Sequence, residues 1–317
     1  MTRVRVPGEQ TVQGGDVTVQ PVLAADVGGT QMRAALVDPA GNVLMRRSAP
    51  TPAEAHVPGA LIDLLRAVGA ENGHESPSHA VVGLPGAVDY DAGRLLWAPH
   101  LPESWPHQLS RAALTQQLGL AAHIANDADL AAVGEAFFGA GAGSTDVAYL
   151  TISTGIGAGV VHGGRVLHGR RSLAEVGHTI IDWRAWQEGR PSTLEDLGSG
   201  SGLARLAREA DLGNQDARAV EKLALAGNKR AAAIWEDAIA ACAAGVSSLV
   251  LSFSPSRVVI GGGMGCKPEF FDRVRELVMS HPEHHPDDLE IVPSALRDDA
   301  GLVGAAGWVA AFGGPSD

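Results

Sequence analysis

The chain has 317 residues, 45% of them hydrophobic, and carries 24 Lys and Arg against 36 Asp and Glu, a formal net charge of −12. That length supplies one large domain or two smaller ones with ample buried core, and the acidic balance argues against a nucleic-acid partner, which needs a basic face. Two cysteines, Cys242 and Cys266, stand far apart and outside any ligand-spaced cluster. This excludes a disulfide scaffold and points to a reducing compartment, the cytoplasm.

Residues 1–20 mix Thr, Arg, Gln, Gly and Val without an apolar h-region, which predicts a disordered tail and not a signal peptide. No apolar run reads as long enough to span a bilayer, so no membrane partner is expected. From Val22 the pattern becomes regular. Strands are predicted at Val22 to Val27, Thr30 to Val37 and Val43 to Ser48, joined by Gly28-Gly29 and by the turn Asp38-Pro39-Ala40-Gly41-Asn42. Helical spacing follows over Leu61 to Val68, then a buried strand at Ala80 to Leu84 and a helix near His107 to Leu118. A strand at Ala122 to Ala125 and a helix at Ala128 to Phe138 complete the first half.

The second half replays that order. Strands are predicted at Val147 to Ser153, Ala158 to His162 and Arg165 to His168, then an insert from about Gly169 to Lys229. After it come a helix at Ala231 to Leu251, a strand at Arg257 to Ile260 and a helix at Pro268 to Met279. A strand at Leu289 to Val292 and a helix at Ala300 to Phe312 end the chain. Each half reads β-β-β-α-β-α-β-α, and "HAVVGLPG" and "SRVVIGGG" fill matching slots. The expectation is two α/β lobes, each a mixed sheet flanked by helices, with a cleft between them. One lobe is placed at 21–125 plus 298–317 and a larger one at 126–297, carrying the insert.

Three glycine-rich turns fall at strand ends. Asp26-Val27-Gly28-Gly29-Thr30 offers bare backbone amides that suit phosphate, a hydroxyl on Thr30, and in Asp26 a carboxylate able to hold Mg²⁺ directly or through water. A plain hairpin turn explains the same glycines equally well. Ser153-Thr154-Gly155-Ile156-Gly157 stands at the equivalent place in the second half. It lacks the GK[ST] of a Walker loop, and a strand follows it instead of a helix, so it is no dinucleotide fingerprint. Paired with the first turn it forms a candidate two-jaw phosphate clamp. Gly261-Gly262-Gly263-Met264-Gly265 leads from a strand to a helix and suits a flat adenine or ribose, or is simply a flexible loop.

Asn126-Asp127 opens a helix at a strand's carboxyl end, where α/β proteins place catalytic groups, although Asp127 also fits an N-cap. Phosphoryl transfer to an alcohol needs a carboxylate to accept the hydroxyl proton, a role Asp127 could fill beside Asn126. Glu175, His178 and Glu195 in the insert supply carboxylates and an imidazole of the kind that orients sugar hydroxyls, or they are surface charges on a loop.

In order along the chain stand "DVGGT", "GLPGAVD", "NDADLAAVGE", "TISTGIGAGVV", "AEVGH", "LEDLGSGSGL", "VVIGGGM" and "DDAGLVGAAG". This series resembles the ROK-family sugar kinases, bacterial glucokinases among them, from about Ala25 to the last helix. The resemblance implies the actin-like ATPase (ribonuclease H-like) fold and an ATP- and Mg²⁺-dependent hexokinase, commonly a homodimer. It implies Asp127 as general base and Asn126, Glu175, His178 and Glu195 as sugar ligands, with Gly86 at the sugar pocket wall. Asp26, Gly28, Gly29 and Thr30 would form the first phosphate loop, and Thr154, Gly155 and Gly157 the second. Gly262 and Gly263 would lie by the adenosine. Glucose, at its 6-hydroxyl, is the leading substrate, with mannose or an N-acetylhexosamine as alternatives. A sugar-responsive repressor would need an N-terminal helix-turn-helix, and a non-catalytic sugar-binding regulator would be expected to lose Asp127 or a phosphate loop.

The sequence also departs from the family pattern. Trp186, Glu188 and Thr193 stand where many members place three cysteines that join a histidine around structural zinc. No thiolate site can form from them, so no zinc is expected. Packing by Trp183 and Trp186 is expected to hold that loop instead. Leu173-Ala174-Glu175, Pro99-His100 and Gln31 are further departures, the first two near the expected sugar pocket.

Overall fold

The structure, a computed structural model, describes residues 20–52, 57–71, 74–98, 101, 103–172, 175–282 and 288–312. The tail expected over 1–20 falls almost wholly outside the described residues, as do Pro99-His100 and Leu173-Ala174. In chain order the elements are β1 (Val22–Val27), β2 (Gln31–Val37), β3 (Val43–Pro50), α1 (Val57–Gly69), β4 (His79–Leu84), β5 (Ala87–Asp89), β6 (Arg94–Trp97), α2 (Trp105–Gln108), α3 (Arg111–Leu118), β7 (Ala121–Asn126) and α4 (Asp127–Phe138). They continue with β8 (Val147–Ile152), β9 (Ile156–His162), β10 (Arg165–Val166), α5 (Trp183–Gln187), α6 (Leu194–Gly198), α7 (Gly200–Glu209), α8 (Ala217–Leu225), α9 (Lys229–Phe253), β11 (Arg257–Gly261), α10 (Pro268–Met279), β12 (Glu290–Pro293) and α11 (Ala300–Phe312).

The chain divides into two compact units. One holds the chain up to Thr145, Gly159–Leu173 and the chain from Asp298, and the other holds Asp146–Ala158 and Ala174–Arg297. The repeat read from the sequence is a repeat of topology. One five-stranded sheet runs β3-β2-β1-β4-β7 and the other β10-β9-β8-β11-β12. In each, the strands descend from third to first and then continue with the fourth and fifth. This is the actin-like ATPase fold, α/β with mixed sheets flanked by helices.

In the first unit β1 pairs antiparallel with β2 and parallel with β4. Nearly every residue of β1 is buried, the mark of a strand covered on both faces. The helices α4 and α11 meet through glycine. A methyl group on Gly304 would lie 1.9 Å from the Leu130 carbonyl oxygen, and one on Gly134 would lie 2.2 Å from that of Ala300. The small residues of "LAAVGE" and "AGLVGAAG" therefore let two backbones approach closely.

In the second unit β11 runs parallel between β8 and β12. The insert contains a one-turn 3₁₀ segment, Val176–His178, and four short helices, α5 to α8. Helix α10 buries Phe270, Phe271, Val274 and Val278 on one face, the i, i+4, i+8 stripe that periodicity predicts.

Three expectations are corrected. The helix predicted near His107 to Leu118 is two helices, because Leu109 is extended (φ −93°, ψ 106°) and the Ser110 hydroxyl caps α3 by accepting from the Ala113 amide. A short antiparallel hairpin, β5-β6, interrupts the first half where none is predicted. Among the described residues one helix, α9, is long and apolar enough to cross a membrane by the composition of an 18-residue window. Half of that window is buried, and α9 packs against α6, α8 and α10.

Candidate active site

In the first unit three parallel strands end together. Asp26 of β1 is in register with Gly83 of β4, which is in register with Ala125 of β7, and Leu84 pairs with Asn126. The carboxyl ends of these strands therefore bring Asp26, the turn Gly28-Gly29-Thr30, Gly86, Asn126 and Asp127 together. In open α/β sheets this edge is where ligands bind.

Asn126, and not Asp127, caps α4. Its Oδ1 accepts from the amides of Ala128 (2.9 Å) and Asp129 (3.2 Å), while its Nδ2 donates to the Gly86 carbonyl (3.0 Å). Gly86 has φ +85°, and a methyl group there would lie 2.3 Å from the Trp97 carbonyl oxygen, so the chain requires glycine. Asp127 is the first residue of the helix, and its Oδ1 also accepts from the Ala128 amide at 2.9 Å. Burial, and next the charge of Asp26, push its carboxyl up to about 7, while the amides around it pull the other way. A carboxylate poised near neutrality is suited to take up a proton.

Asp26 carries an ion pair with Arg33, its cross-strand partner in the β1-β2 hairpin. Sequence reading missed Arg33, although the hairpin register placed it opposite. One Asp26 oxygen is thus committed and the other is open to a hard cation. Among the described residues no three His, Cys, Asp or Glu side chains gather into a cage for a metal. Such a donor set fits Mg²⁺, which takes one or two carboxylates and completes its shell with water and substrate phosphates. In the turn, the Gly28 amide closes on the Gln31 carbonyl (2.9 Å) and the Gly28 carbonyl accepts from the Thr51 hydroxyl (2.6 Å), while Gly29 and Thr30 are exposed.

In the second unit the β8-β9 turn carries Thr154 and Gly155, and Gly157 follows at the start of β9. The carbonyls of the turn are tied to the start of α7, Gly200 donating to Ser153 (2.8 Å) and Ser201 to Thr154 (3.0 Å). Glu195 lies against this turn, its Oε2 accepting from the Ile156 amide at 2.8 Å. The segment of Glu175 and His178 packs here too. Gly177 abuts the Ile156 carbonyl, and the Leu194 amide donates to Thr179 at 2.9 Å. Glu175 and His178 are both exposed. The loop after β11 also reaches this edge. Met264 and Gly265 donate to the Ile152 carbonyl (3.0 and 3.1 Å), and Gly262 takes φ +82°, while nothing crowds Gly263. Thr154, Gly155, Gly157, Glu175, His178, Glu195, Gly262 and Gly263 thus form one neighbourhood.

Residues 22–311 match the ROK family model. The chain belongs to the ROK family. It is 36% identical over 304 residues to the bifunctional enzyme NanE/NanK of Brucella melitensis, covering 92% of this chain but only 54% of that enzyme. It therefore spans about half the length of that relative. It is 32% identical over 287 residues to the N-acetylmannosamine kinase of Salmonella arizonae, covering 90% of this chain and 96% of that one. Among solved structures, the ROK hexokinase of Thermus thermophilus is similar with a TM-score of 0.79 and 32% identity, covering 90% of this chain and 96% of that one. A ROK family glucokinase of Streptomyces griseus in complex with glucose and AMPPNP gives a TM-score of 0.73 and 28% identity, over 90% of this chain and 98% of that one.

Against the ROK pattern, the loop with Trp186, Glu188 and Thr193 is held otherwise than expected. Trp183 and Trp186 are 56% and 60% exposed, so they do not pack it. Hydrogen bonds do the holding. Asp182 caps α5, accepting from Arg184 and Ala185, and the amides of Ile181 and Asp182 both donate to the Ser192 carbonyl. Thr193 and Asp196 form a reciprocal capping box on α6, and Asp196 Oδ2 gathers the amides of Ser192 (3.0 Å) and Thr193 (3.1 Å) and the Thr193 hydroxyl (2.9 Å). Burial pushes the Asp196 carboxyl up, but these bonds and the charge of Arg205 together outweigh it and hold the carboxyl below its ordinary value. The capping spacing Thr193-x-x-Asp196 was readable in the sequence.

Proposed function

We propose that this chain transfers the γ-phosphoryl group of ATP to a hydroxyl of a hexose in the presence of Mg²⁺. The observation that carries the reading is Asp127, a carboxylate raised to about 7 at the joined ends of three parallel strands. In this reading the substrate hydroxyl gives its proton to Asp127 as its oxygen bonds to the γ-phosphorus. The bond from that phosphorus to the bridging oxygen breaks, and ADP leaves. Asp26 would hold Mg²⁺, which when bound neutralises phosphate charge. Gly29, Thr30, Thr154, Gly155 and Gly157 would cradle phosphates, with Gly28, whose amide is committed to Gln31, shaping the first turn, and Gly262 and Gly263 would lie beside the adenosine. Asn126, Glu175, His178 and Glu195 would bind the sugar, with Gly86 at its wall. Asn126 keeps one amide N–H for this, and Glu195 keeps one oxygen. The expected setting is cytoplasmic, as a homodimer.

Glucose phosphorylated at the 6-hydroxyl is the first substrate to test. N-acetylmannosamine is the second, favoured by the identity to the Salmonella arizonae kinase. Purified protein with ATP, Mg²⁺ and a panel of hexoses and N-acetylhexosamines should release ADP with at least one of them. Asp127→Asn should lower kcat by at least about 10³-fold while sugar binding by calorimetry changes little. Turnover retained in that variant would remove Asp127 from the role of base, and a silent panel would refute the reading as a whole.

A further inference from the structure

Tyr90 plays no part in the chemistry just described, yet the turn that carries Asp127 is built onto it. Its hydroxyl donates to Asp129 Oδ2 (2.6 Å) and accepts from the Asn126 amide (3.0 Å). It therefore bridges the last residue of β7 and the first turn of α4, the two sides of Asp127. All three residues are buried. Asp129 is fully buried, and the Ser172 hydroxyl donates to its other oxygen at 3.2 Å.

Tyr90 is itself fixed from several directions. Its amide donates to the Arg170 carbonyl (3.0 Å), and its own carbonyl accepts from the Arg111 guanidinium (2.9 Å). Its ring packs on those of His168 and Trp308, with centroids 4.6 and 5.7 Å away. The neighbouring Asp89, also fully buried, binds Arg170 through Nε (3.0 Å) and a terminal nitrogen (2.8 Å) and accepts from the Ala92 amide (2.9 Å). The hydroxyl is thus held at a set point by the β5-β6 hairpin and the Arg170–Ser172 segment together.

We infer that Tyr90 is a positioning residue, whose hydroxyl, paired with the buried carboxylate of Asp129, fixes the β7-α4 turn and so the placement of Asp127. The inference rests on the phosphoryl-transfer reading for its consequence in catalysis, because misplacing a reacting group by about 1 Å can cost about 10²-fold in rate. Its structural half is independent of that reading.

Tyr90→Phe keeps both ring contacts and removes only the hydroxyl. We expect kcat to fall about 10- to 100-fold with the KM for ATP unchanged within about twofold. Hydrogen exchange of the Asn126 amide in the ligand-free protein should speed up at least about tenfold, with strand β1 exchanging as before. Asp129→Ala should share both effects, whereas Asp129→Asn, which keeps an acceptor for the hydroxyl, should restore most of kcat. Wild-type kcat and wild-type Asn126 exchange in Tyr90→Phe would overturn the inference while leaving the kinase reading untouched. So would a loss of activity matched by an equal loss of folded protein. A wild-type protein inert toward every sugar would refute the kinase reading instead, and the exchange of Asn126 would still decide the structural half.

Discussion

Asp127, the proposed base, shows how a carboxylate suited to chemistry can burden the fold. Its carboxyl is pushed up to about 7 in the folded chain, above the ordinary aspartate value of 3.8. Between those values the folded protein binds the extra proton, so this group makes stability fall as pH rises from about 4 to about 7. Above about 7 the full cost of holding this half-buried group charged is present. Asp127→Asn, which abolishes that charge, should therefore raise the melting temperature. The gain should be absent near pH 4, grow to neutrality and stay level at pH 8, where it should amount to on the order of 1–3 kcal/mol. Thermal melts of both proteins from pH 4 to pH 8 check this, and a gain largest at acid pH would contradict the sign. The same group sets the expected activity profile, with kcat/KM falling as pH drops below about 7 because the protonated form can accept nothing.

At the scale of elements, two devices hold the site in place without contributing to its chemistry. The first is the close approach of α4 to α11. Gly304→Ala would drive a methyl group to 1.9 Å from the Leu130 carbonyl oxygen, in the helix that begins with Asp127. Overpacking of this kind costs about 1–3 kcal/mol, and denaturant titration should show it as a lower midpoint. Gly301→Ala, whose nearest neighbour would be 3.9 Å away, should be close to neutral. The second device is the Thr193-Asp196 capping box, which starts the helix that bears Glu195. Thr193→Ala should cost about 1 kcal/mol, in the range of other lost N-caps. Because Glu195 is bonded to the Ile156 amide, the variant should also raise the KM for the sugar more than it lowers kcat.

For the molecule as a whole, the proposed substrates should stabilise what they bind. A ligand at about 100 times its dissociation constant adds about 2.7 kcal/mol to a folded state it binds exclusively. Thermal melts with the panel of hexoses and N-acetylhexosamines should therefore rank the sugars. The true substrate should give the largest upward shift, in the range of several degrees, and an Asp127→Asn protein should show the same ranking. Equal or absent shifts across the panel would count against a sugar site in this chain.

Much of this organisation is local chemistry written along the chain. Periodicity of two for strands, helical stripes such as Phe270 to Val278, and glycine at tight turns all act within a few residues. They sufficed for the doubled order of elements, for the glycine-rich turns and for Asn126-Asp127 at a strand end. The ROK motifs were legible for the same reason, since each is a short contiguous run. Other features depended on residues far apart in sequence. The Tyr90–Asp129 bond joins positions 39 apart, Asp89 meets Arg170 at a separation of 81, and Glu195 reaches Ile156 across 39 residues. Hydrogen bonds of this kind are decided by which backbones packing brings within about 3 Å of each other. A pattern read along one chain does not contain that information, so it was the tertiary structure that exposed Trp183 and Trp186 and set Tyr90 beneath the turn that carries Asp127.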